Sequence, residues 1–503
     1  MSTRLAAANN GAGEGYIAME GTSRLAEAEL APPPKLYANR VRVYPKAVSG
    51  LLRRIKWAVL VVCLAVYYLL PWIRWDRGPG APNQAVLLDL WNERFYFFGL
   101  ELWPQDIWFL AGLLALGAVG LFLVTSLFGR VWCGFTCPQT VWTDLYLLVE
   151  RKIEGDRNER IKRDRGPLTF DKIWRKIAKH AVWLFIAFWT GGAWIMYYVD
   201  APTAVREFWT GTASAPVYAF TFLFTATTYL LAGWAREQVC TYMCPWPRFQ
   251  SAMLDENTFI VTYEAWRGEP RGHGKRQGVG TSLLGDCVDC KACVHVCPTG
   301  IDIRDGVQLE CIGCGLCIDA CNHVMAKTGS KPWLITWDSL ARQKDRAEGR
   351  PPSVRLIRPR VLIYLGVLLI GAGVLVAGLM MRSHIGLSVA HDRAPLFVRL
   401  ENGDLRNGYT VLLINKDRKP AEFRLSVTSF PSARLVLPET SSTPQKVLSL
   451  TMPPDTVQSV RVLVQGQPDH LEDGREPLDF VLRNIATGEQ AVYHSVFMGP
   501  HEH

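Results

Sequence analysis

The chain has 503 residues, 49 % of them hydrophobic, and 55 Lys and Arg against 46 Asp and Glu give a formal charge of +9. That length exceeds a single core, and the modest, mixed charge shows no pattern of nucleic-acid recognition. The 13 cysteines and 18 tryptophans are the unusual features.

Residues 1–34 are rich in Ala, Gly and Pro with little periodicity and are expected to be disordered; a basic juxtamembrane segment carries this tail to residue 54. Five apolar runs follow, Trp57–Ile73, Ile107–Phe128, Ala181–Val199, Ala215–Ala235 and Val361–Met381, each close to the ~20 residues that cross a bilayer. Buried core helices of a soluble protein are the plain alternative. The last run argues against it, being free of charge and flanked by arginines. Trp72, Trp75, Trp103, Trp108, Tyr197, Tyr198 and Trp234 sit near run ends, as in interfacial belts. The first run is short, carries Pro71, and begins too far along the chain for a signal peptide. Its lone Cys63 reads as a small hydrophobe.

The second run leads into Arg130-Val-Trp-Cys133-Gly-Phe-Thr-Cys137-Pro138, and the fourth into Arg236-Glu-Gln-Val-Cys240-Thr-Tyr-Met-Cys244-Pro245. A four-residue step places two thiols on one helical face, and Pro can open the next helix. The recurrence predicts an internal duplication, with the first two and next two helices related by an axis along the membrane normal. Buried structural pairs are the bland reading. Matched positions favour a redox or Cu(I) role, because paired thiolates are soft ligands and can cycle to disulfide. Cys133, Cys137, Cys240 and Cys244 are therefore the candidate catalytic residues and copper ligands. Between the motifs, Arg151–Lys179 mixes both signs of charge and reads as a solvated helical face rather than a contact for anionic lipid headgroups.

After a polar linker, Glu269–Gly280, come Cys287-x2-Cys290-x2-Cys293-x3-Cys297-Pro298 and Cys311-x2-Cys314-x2-Cys317-x3-Cys321. A zinc site has no use for a third cysteine at the same step, and this spacing is that of a two-cluster bacterial ferredoxin. Each cube takes three thiolates from one run and the fourth from the far end of the other. Cys287, Cys290, Cys293 and Cys321 are thus expected to hold one [4Fe–4S] cluster, and Cys311, Cys314, Cys317 and Cys297 the second. Alternation at Ile301, Ile303, Val307 and Leu309 around Asp305-Gly306 predicts a short hairpin between the runs. Asn322, where Pro is usual after the last cysteine, implies a small change of backbone shape.

A second polar linker, Lys344–Pro352, precedes the last run. Beyond it, Leu396–Leu400, Tyr409–Ile414, Phe423–Val427, Val447–Leu450, Val457–Val464, Phe480–Leu482 and Val492–Val496 read as seven short strands of an immunoglobulin-like sandwich without a disulfide. It shows no catalytic constellation; its expected role is docking or support. His384, His391, Met380 and Met381 lack metal-ligand spacing and read as ordinary juxtamembrane residues. Lys35–Lys56 carries seven Lys and Arg and Gly129–Ile177 eleven, against three in Arg74–Pro104 and one in Asp200–Ser214. The positive-inside rule places the first two segments, and with five crossings the ferredoxin segment, in the cytoplasm, and the C-terminal region outside.

The expected architecture is a multi-domain membrane protein: tail 1–54, a four-helix domain 55–260, a ferredoxin-like α+β insert 261–345, linker and fifth helix 346–381, and an all-β immunoglobulin-like domain 382–503. The order of features, with Pro298-Thr-Gly-Ile-Asp-Ile-Arg-Asp-Gly-Val-Gln-Leu-Glu-Cys311-Ile between the cluster runs, resembles the cytochrome c oxidase accessory protein family, called CcoG, RdxA or FixG. The resemblance implies an inner-membrane iron–sulfur protein that reduces Cu(II) to Cu(I) for assembly of a cbb3-type oxidase. Its partners would be copper ions, oxidase assembly factors, an unnamed electron donor and, where it self-associates, a second copy as a homodimer. Two other readings compete. A polyferredoxin of quinol-dehydrogenase type would bind quinol near Trp142, Tyr146 and His180, and a scaffold would recruit assembly factors through residues 392–503.

Overall fold

In hydrocarbon the backbone has only itself to bond, so long apolar runs fold as helices. The computed structural model describes residues 42–78, 80–272, 284–438, 441–467 and 474–500. The tail 1–34 and residues 273–280 of the first linker lie outside the described residues. The principal helices are α1 Leu51–Leu69, α2 Ile107–Phe128, α3 Pro138–Glu154, α4 Phe170–Ile195, α5 Ala215–Thr228, α6 Leu316–Thr328 and α7 Pro359–Met380. α1 and α2 with their terminal turns, α5 with its π-helical continuation to Ala235, and α7 are long and apolar enough to cross a membrane. α4 spans 26 residues, but it carries Lys176, Lys179 and His180 and is not among those four helices.

α4 packs along α5, and α2 along α7. Small residues set the approach, as between helices in lipid. A Cβ on Gly191 of α4 would lie 2.6 Å from Thr221 O, and one on Gly371 of α7 would lie 2.6 Å from the Leu116 side chain of α2. The segment Arg74–Pro104 is more than a loop: β1 Val86–Asp89, β2 Arg94–Phe97 and β3 Leu100–Leu102 form an antiparallel sheet.

The cysteine-rich module is closed by β4 Ile260–Tyr263 pairing antiparallel with β5 Ile335–Asp338. The hairpin predicted over 301–309 is absent. Ile303–Asp305 forms a short 3-10 turn instead, because the Asp302 carboxylate accepts from the Arg304 backbone N–H at 3.1 Å and from Arg304 Nε at 2.8 Å. That local bonding outcompetes an extended ladder. Ile303 is buried, whereas Val307 and Leu309 are exposed. The second predicted linker begins inside a helix, Leu340–Ala347, with Ser339 Oγ accepting from Arg342 N at its start.

Ten strands follow α7: β6 Ile385–His391, β7 Val398–Arg399, β8 Leu405–Asn415, β9 Ala421–Val427, β10 Arg434–Leu437, β11 Ser441–Gln445, β12 Val447–Met452, β13 Thr456–Gly466, β14 Arg475–Asn484 and β15 Gln490–Met498. One sheet runs β11-β10-β13-β8-β6 with β7 beside β8, and the other runs β12-β9-β14-β15. Alternate residues of both, including Tyr409, Val411, Val462 and Phe423, Leu425, Phe480, form one buried core. Six of the seven predicted strands lie within observed strands, Val447–Leu450 and Phe480–Leu482 among them. Leu396–Leu400 shrinks to two residues, and β6, β10 and β11 were not foreseen.

This domain rests on the β1–β3 sheet. Arg94 bridges Asp455 at 2.6 Å and Glu101 at 3.3 Å, and Arg382 and Lys416 meet Asp106 at 2.6 and 3.6 Å. Burial, with Asp455 close by, pushes Glu101 from 4.5 up to about 7. The folded chain therefore holds this proton more tightly than the unfolded chain, so stability falls as pH rises through that interval. Hydrogen-exchange protection across β1–β3, corrected for the intrinsic base catalysis of exchange, is expected to fall from pH 5 to pH 7, and Glu101→Gln to flatten that profile; an unaltered profile would assign the contact to other groups.

Candidate functional site

The eight cysteines at 287–321 sort by proximity into two groups. Burial raises the Cys321 thiol, and Cys293, Cys287 and Cys290 add like charge to it. Cys317 feels Cys314, Cys311 and Cys297 first. The crossed arrangement follows from the chain path. Cys297 ends the short helix Ala292–Val296 and is followed by Pro298, while Cys321 lies inside α6. Proline after Cys321 would break that helix. Asn322 continues it, and its side chain accepts from Trp333 N at 2.7 Å. Positive φ at Gly313 (+66°) and Gly315 (+69°) wraps the backbone around Cys314, a path that favours glycine.

Burial pushes the Cys311 and Cys321 thiols up to about 12 and Cys293 to about 11. Cys290 is exposed, and no cysteine is in a disulfide. Thiols so desolvated ionise only against bound cationic charge. Among the described residues no three His, Cys, Asp or Glu converge closely enough for a single metal ion. The buried thiols fit cubane clusters, in which each cysteine binds a different iron. Arg304 lies beside the first group, its Nη1 3.9 Å from Cys287 Sγ and paired with Asp289 and Asp302 at 2.6 Å.

The two C-x3-C-P motifs meet at the second group. Cys133 and Cys240 pack in one apolar cluster with Ile312, Cys314 and Cys317. Neither pair lies on one helical face, contrary to the four-residue argument. Cys133 sits in the short helix Val131–Phe135 and Cys137 is the residue before α3; Cys240 sits in the π-helical turn Val239–Met243 and Cys244 ends it. Each following proline holds its preceding cysteine extended, so the pair straddles a chain bend. Burial raises Cys133 and Cys240 to about 12, with Cys137 and Cys244 adding like charge. Cys133 Sγ donates to Gln250 Oε1 at 3.1 Å. Gln139 Nε2 donates to Leu231 O at 2.8 Å and Arg236 O at 3.2 Å. Each half thus bonds the other.

Family models match along the same lines: a 4Fe-4S binding domain over residues 110–154, a 4Fe-4S dicluster domain over 235–340, and the IG-like fold at the C-terminal of FixG over 375–500. Nitrogen fixation protein FixG of Rhizobium meliloti (strain 1021) is 46 % identical over 92 % of this chain and 94 % of its own length. The chain belongs to the FixG family. Protein RdxA of Cereibacter sphaeroides is 49 % identical over 78 % of this chain and 83 % of its own, and Protein RdxB of that organism 46 % over 92 % and 97 %. A crystal structure of a FixG-related protein from Vibrio parahaemolyticus matches 24 % of this chain and 98 % of its own at 20 % identity, with a TM-score of 0.20. The FixG family assignment makes this an iron–sulfur oxidoreductase associated with a membrane.

In this FixG-family chain the joint between membrane helices and cysteine module is built from buried charge. The Asp319 carboxylate accepts from the N–H groups of Leu52 (3.3 Å) and Arg53 (2.7 Å), capping α1 from α6. Arg53 in turn holds Asp144 of α3 at 2.7 Å, with Lys56 at 3.7 Å. Further along α3, Glu150 is fully buried among Arg160 (2.5 Å), Arg236 (3.0 Å) and Lys179 (3.4 Å). These cations outweigh its desolvation and bring it down to about 2. The segment expected to be a solvated helical face is therefore partly interior: Arg160 and Lys179 are buried. Three carboxylates on α3 draw the cations in.

Of the quinol candidates, Tyr146 is buried with its hydroxyl on Trp183 O, and Trp142 Nε1 donates to Thr190 Oγ1. His180 lines a cavity of about 360 Å³ with Lys176, Lys179, Trp183 and Arg236; its Nδ1 is 2.9 Å from the Tyr229 hydroxyl. His384 is exposed near Glu489, and His391 stacks edge-on against Tyr409. Sequence reading missed Asp319, Asp144, Glu150 and Gln250, which lie far in sequence from their partners; charge inside an apolar or amphipathic stretch was the one signal available.

Glu150→Ala leaves Arg160, Arg236 and Lys179 buried without their shared anion, which should cost about 3–5 kcal/mol. A lowered thermal transition, with loosened packing of the second motif reported by faster alkylation of Cys240, is the expected outcome. Wild-type stability and reactivity would show that Glu150 does not anchor Arg236.

Proposed function

We propose that the chain is a five-span inner-membrane protein that reduces Cu(II) to Cu(I) during assembly of a cbb3-type cytochrome c oxidase. Cys287, Cys290, Cys293 and Cys321 hold one [4Fe–4S] cluster, Cys297, Cys311, Cys314 and Cys317 the second, on the cytoplasmic side, with the C-terminal domain periplasmic. α4 is the fifth span in this reading. One observation supports it: Cys133 of the first motif and Cys240 of the second are packed together against the ligand loop of the second group. Burial that holds Cys133 and Cys240 protonated leaves them weak nucleophiles, but a soft cation that binds them displaces each thiol proton to solvent and its charge stabilises the thiolates left behind. Binding Cu(I) more strongly than Cu(II) makes the bound copper easier to reduce. The clusters supply single electrons when present. The chain's own part is to hold copper within reach, exclude water behind Phe135 and Ile312, and keep the two motifs in register through Gln139 and Gln250.

Cys137→Ala with Cys244→Ala should abolish Cu(I) formation from Cu(II) by the pre-reduced protein, followed with a Cu(I)-selective chelator, while iron and sulfide content stay at wild-type level. Activity retained in that double variant would remove the thiol pairs from the reaction.

Quinol oxidation keeps a single supporting observation, the cavity beside His180. In proteoliposomes the copper reading expects cluster reduction by a quinol to be absent, or present and indifferent to His180→Ala; quinol-driven reduction lost in that variant would favour the second reading.

A further inference from the structure

Arg130 lies three residues before Cys133 of the first motif and is buried where three segments of the chain meet. Its Nη1 donates to Leu309 O, and to Cys311 O at 3.3 Å; its Nη2 donates to Pro247 O at 2.7 Å, just past Cys244-Pro245 of the second motif. Its Nε is buried without a protein partner among the described residues, a vacancy that suits a further anionic group close by. The approach is as tight as backbone allows. A Cβ on Gly134 would fall 2.9 Å from Ile312 O, Gly313 O and Cys314 Cα, and one on Gly313 would fall 3.2 Å from Arg130 O. Among the described residues no such arginine fork joins the motifs to the first group. There Cys290, the one exposed cysteine of the chain, faces outward, and the neighbouring cation is Arg304.

We propose that Arg130 is the positioning residue that couples the second cluster to both C-x3-C-P loops, so that electrons enter at the Cys290 side and leave from the Cys297, Cys311, Cys314 and Cys317 cluster. The assignment rests on the cluster ligation and copper chemistry proposed above, and it adds the order of the two clusters and the residue that sets their exit. Each transfer moves one electron. The cluster loses it, Cu(II) at the thiol pairs gains it to become Cu(I), and no bond or proton is exchanged. The reductant is a one-electron donor docking over Cys290. The guanidinium acts twice: its fork holds the loops at contact distance, and its charge favours the reduced, more negative state of the nearer cluster.

The test uses the full chain in detergent, reduced anaerobically with dithionite. Redox titration followed by electron paramagnetic resonance should show Arg130→Met lowering the midpoint of one cluster and Arg304→Met lowering that of the other, with iron and sulfide unchanged in both. Stopped-flow oxidation by Cu(II) should slow about tenfold or more in Arg130→Met and in Gly134→Ala; the second variant leaves every charge in place and its cluster potentials should stay at wild-type values. Arg130→Lys, which keeps the charge and loses the fork, should hold its potentials and lose rate, and it stands in if the methionine variant fails to retain clusters. Unmoved potentials in Arg130→Met, both arginine variants shifting the same cluster, or a wild-type rate in Gly134→Ala would overturn the proposal. If wild-type clusters ignore Cu(II) altogether, the copper reading fails, and the paired potential shifts still decide the coupling.

Discussion

A guanidinium cannot be buried without acceptors, and Arg130 finds its acceptors on two loops that belong to different parts of the chain. That requirement sets the rest of the assembly. The end of α2, the second motif and the ligand loop around Cys311 must all arrive at one point, or a charge is left in a desolvated space at a cost of several kcal/mol. Glycine at 134 and 313 removes the side chains that would hold these loops apart.

A second layer of buried charge fixes the membrane helices to the same point. Asp319 caps α1, Arg53 carries that cap to Asp144 on α3, and Glu150 on α3 gathers Arg236 from the end of α5. No single pair here is a strong stability argument, since desolvation opposes each attraction. Their value is in register: every member has one partner geometry, and together they place the two thiol pairs relative to the cysteine module. The opposite end of α2 is organised likewise, with Asp106 and Arg94 joining the β1–β3 sheet to the C-terminal domain. A helix of 22 residues separates the two ends, about 33 Å at 1.5 Å per residue, which keeps the cysteine module and the immunoglobulin-like domain well apart.

Local failures of the sequence reading share one cause. The hairpin at 301–309 lost to an Asx turn at Asp302; the four-residue cysteine step was broken by the extended backbone before proline; the basic segment after α3 was drawn inward by carboxylates whose facing could not be read from periodicity alone. β6 begins five residues beyond the end of α7, where a juxtamembrane segment gave no strand signal. In each case a short-range pattern was correct about composition and silent about which partner would compete for the backbone or the charge.

Cysteine spacing alone was enough for the cofactor class, because a cube imposes its ligand steps on the chain whatever surrounds it. Run lengths were enough for four of the five apolar runs, because a bilayer imposes a minimum length, and alternation was enough for most strands of the C-terminal domain. Only the tertiary structure decided which cysteine group the thiol pairs touch, and that Arg130, Asp319 and Glu150 are interior. Those facts depend on contacts across tens to hundreds of residues, where the energy lies in satisfying a buried polar group, and no local pattern records where its partner will come from.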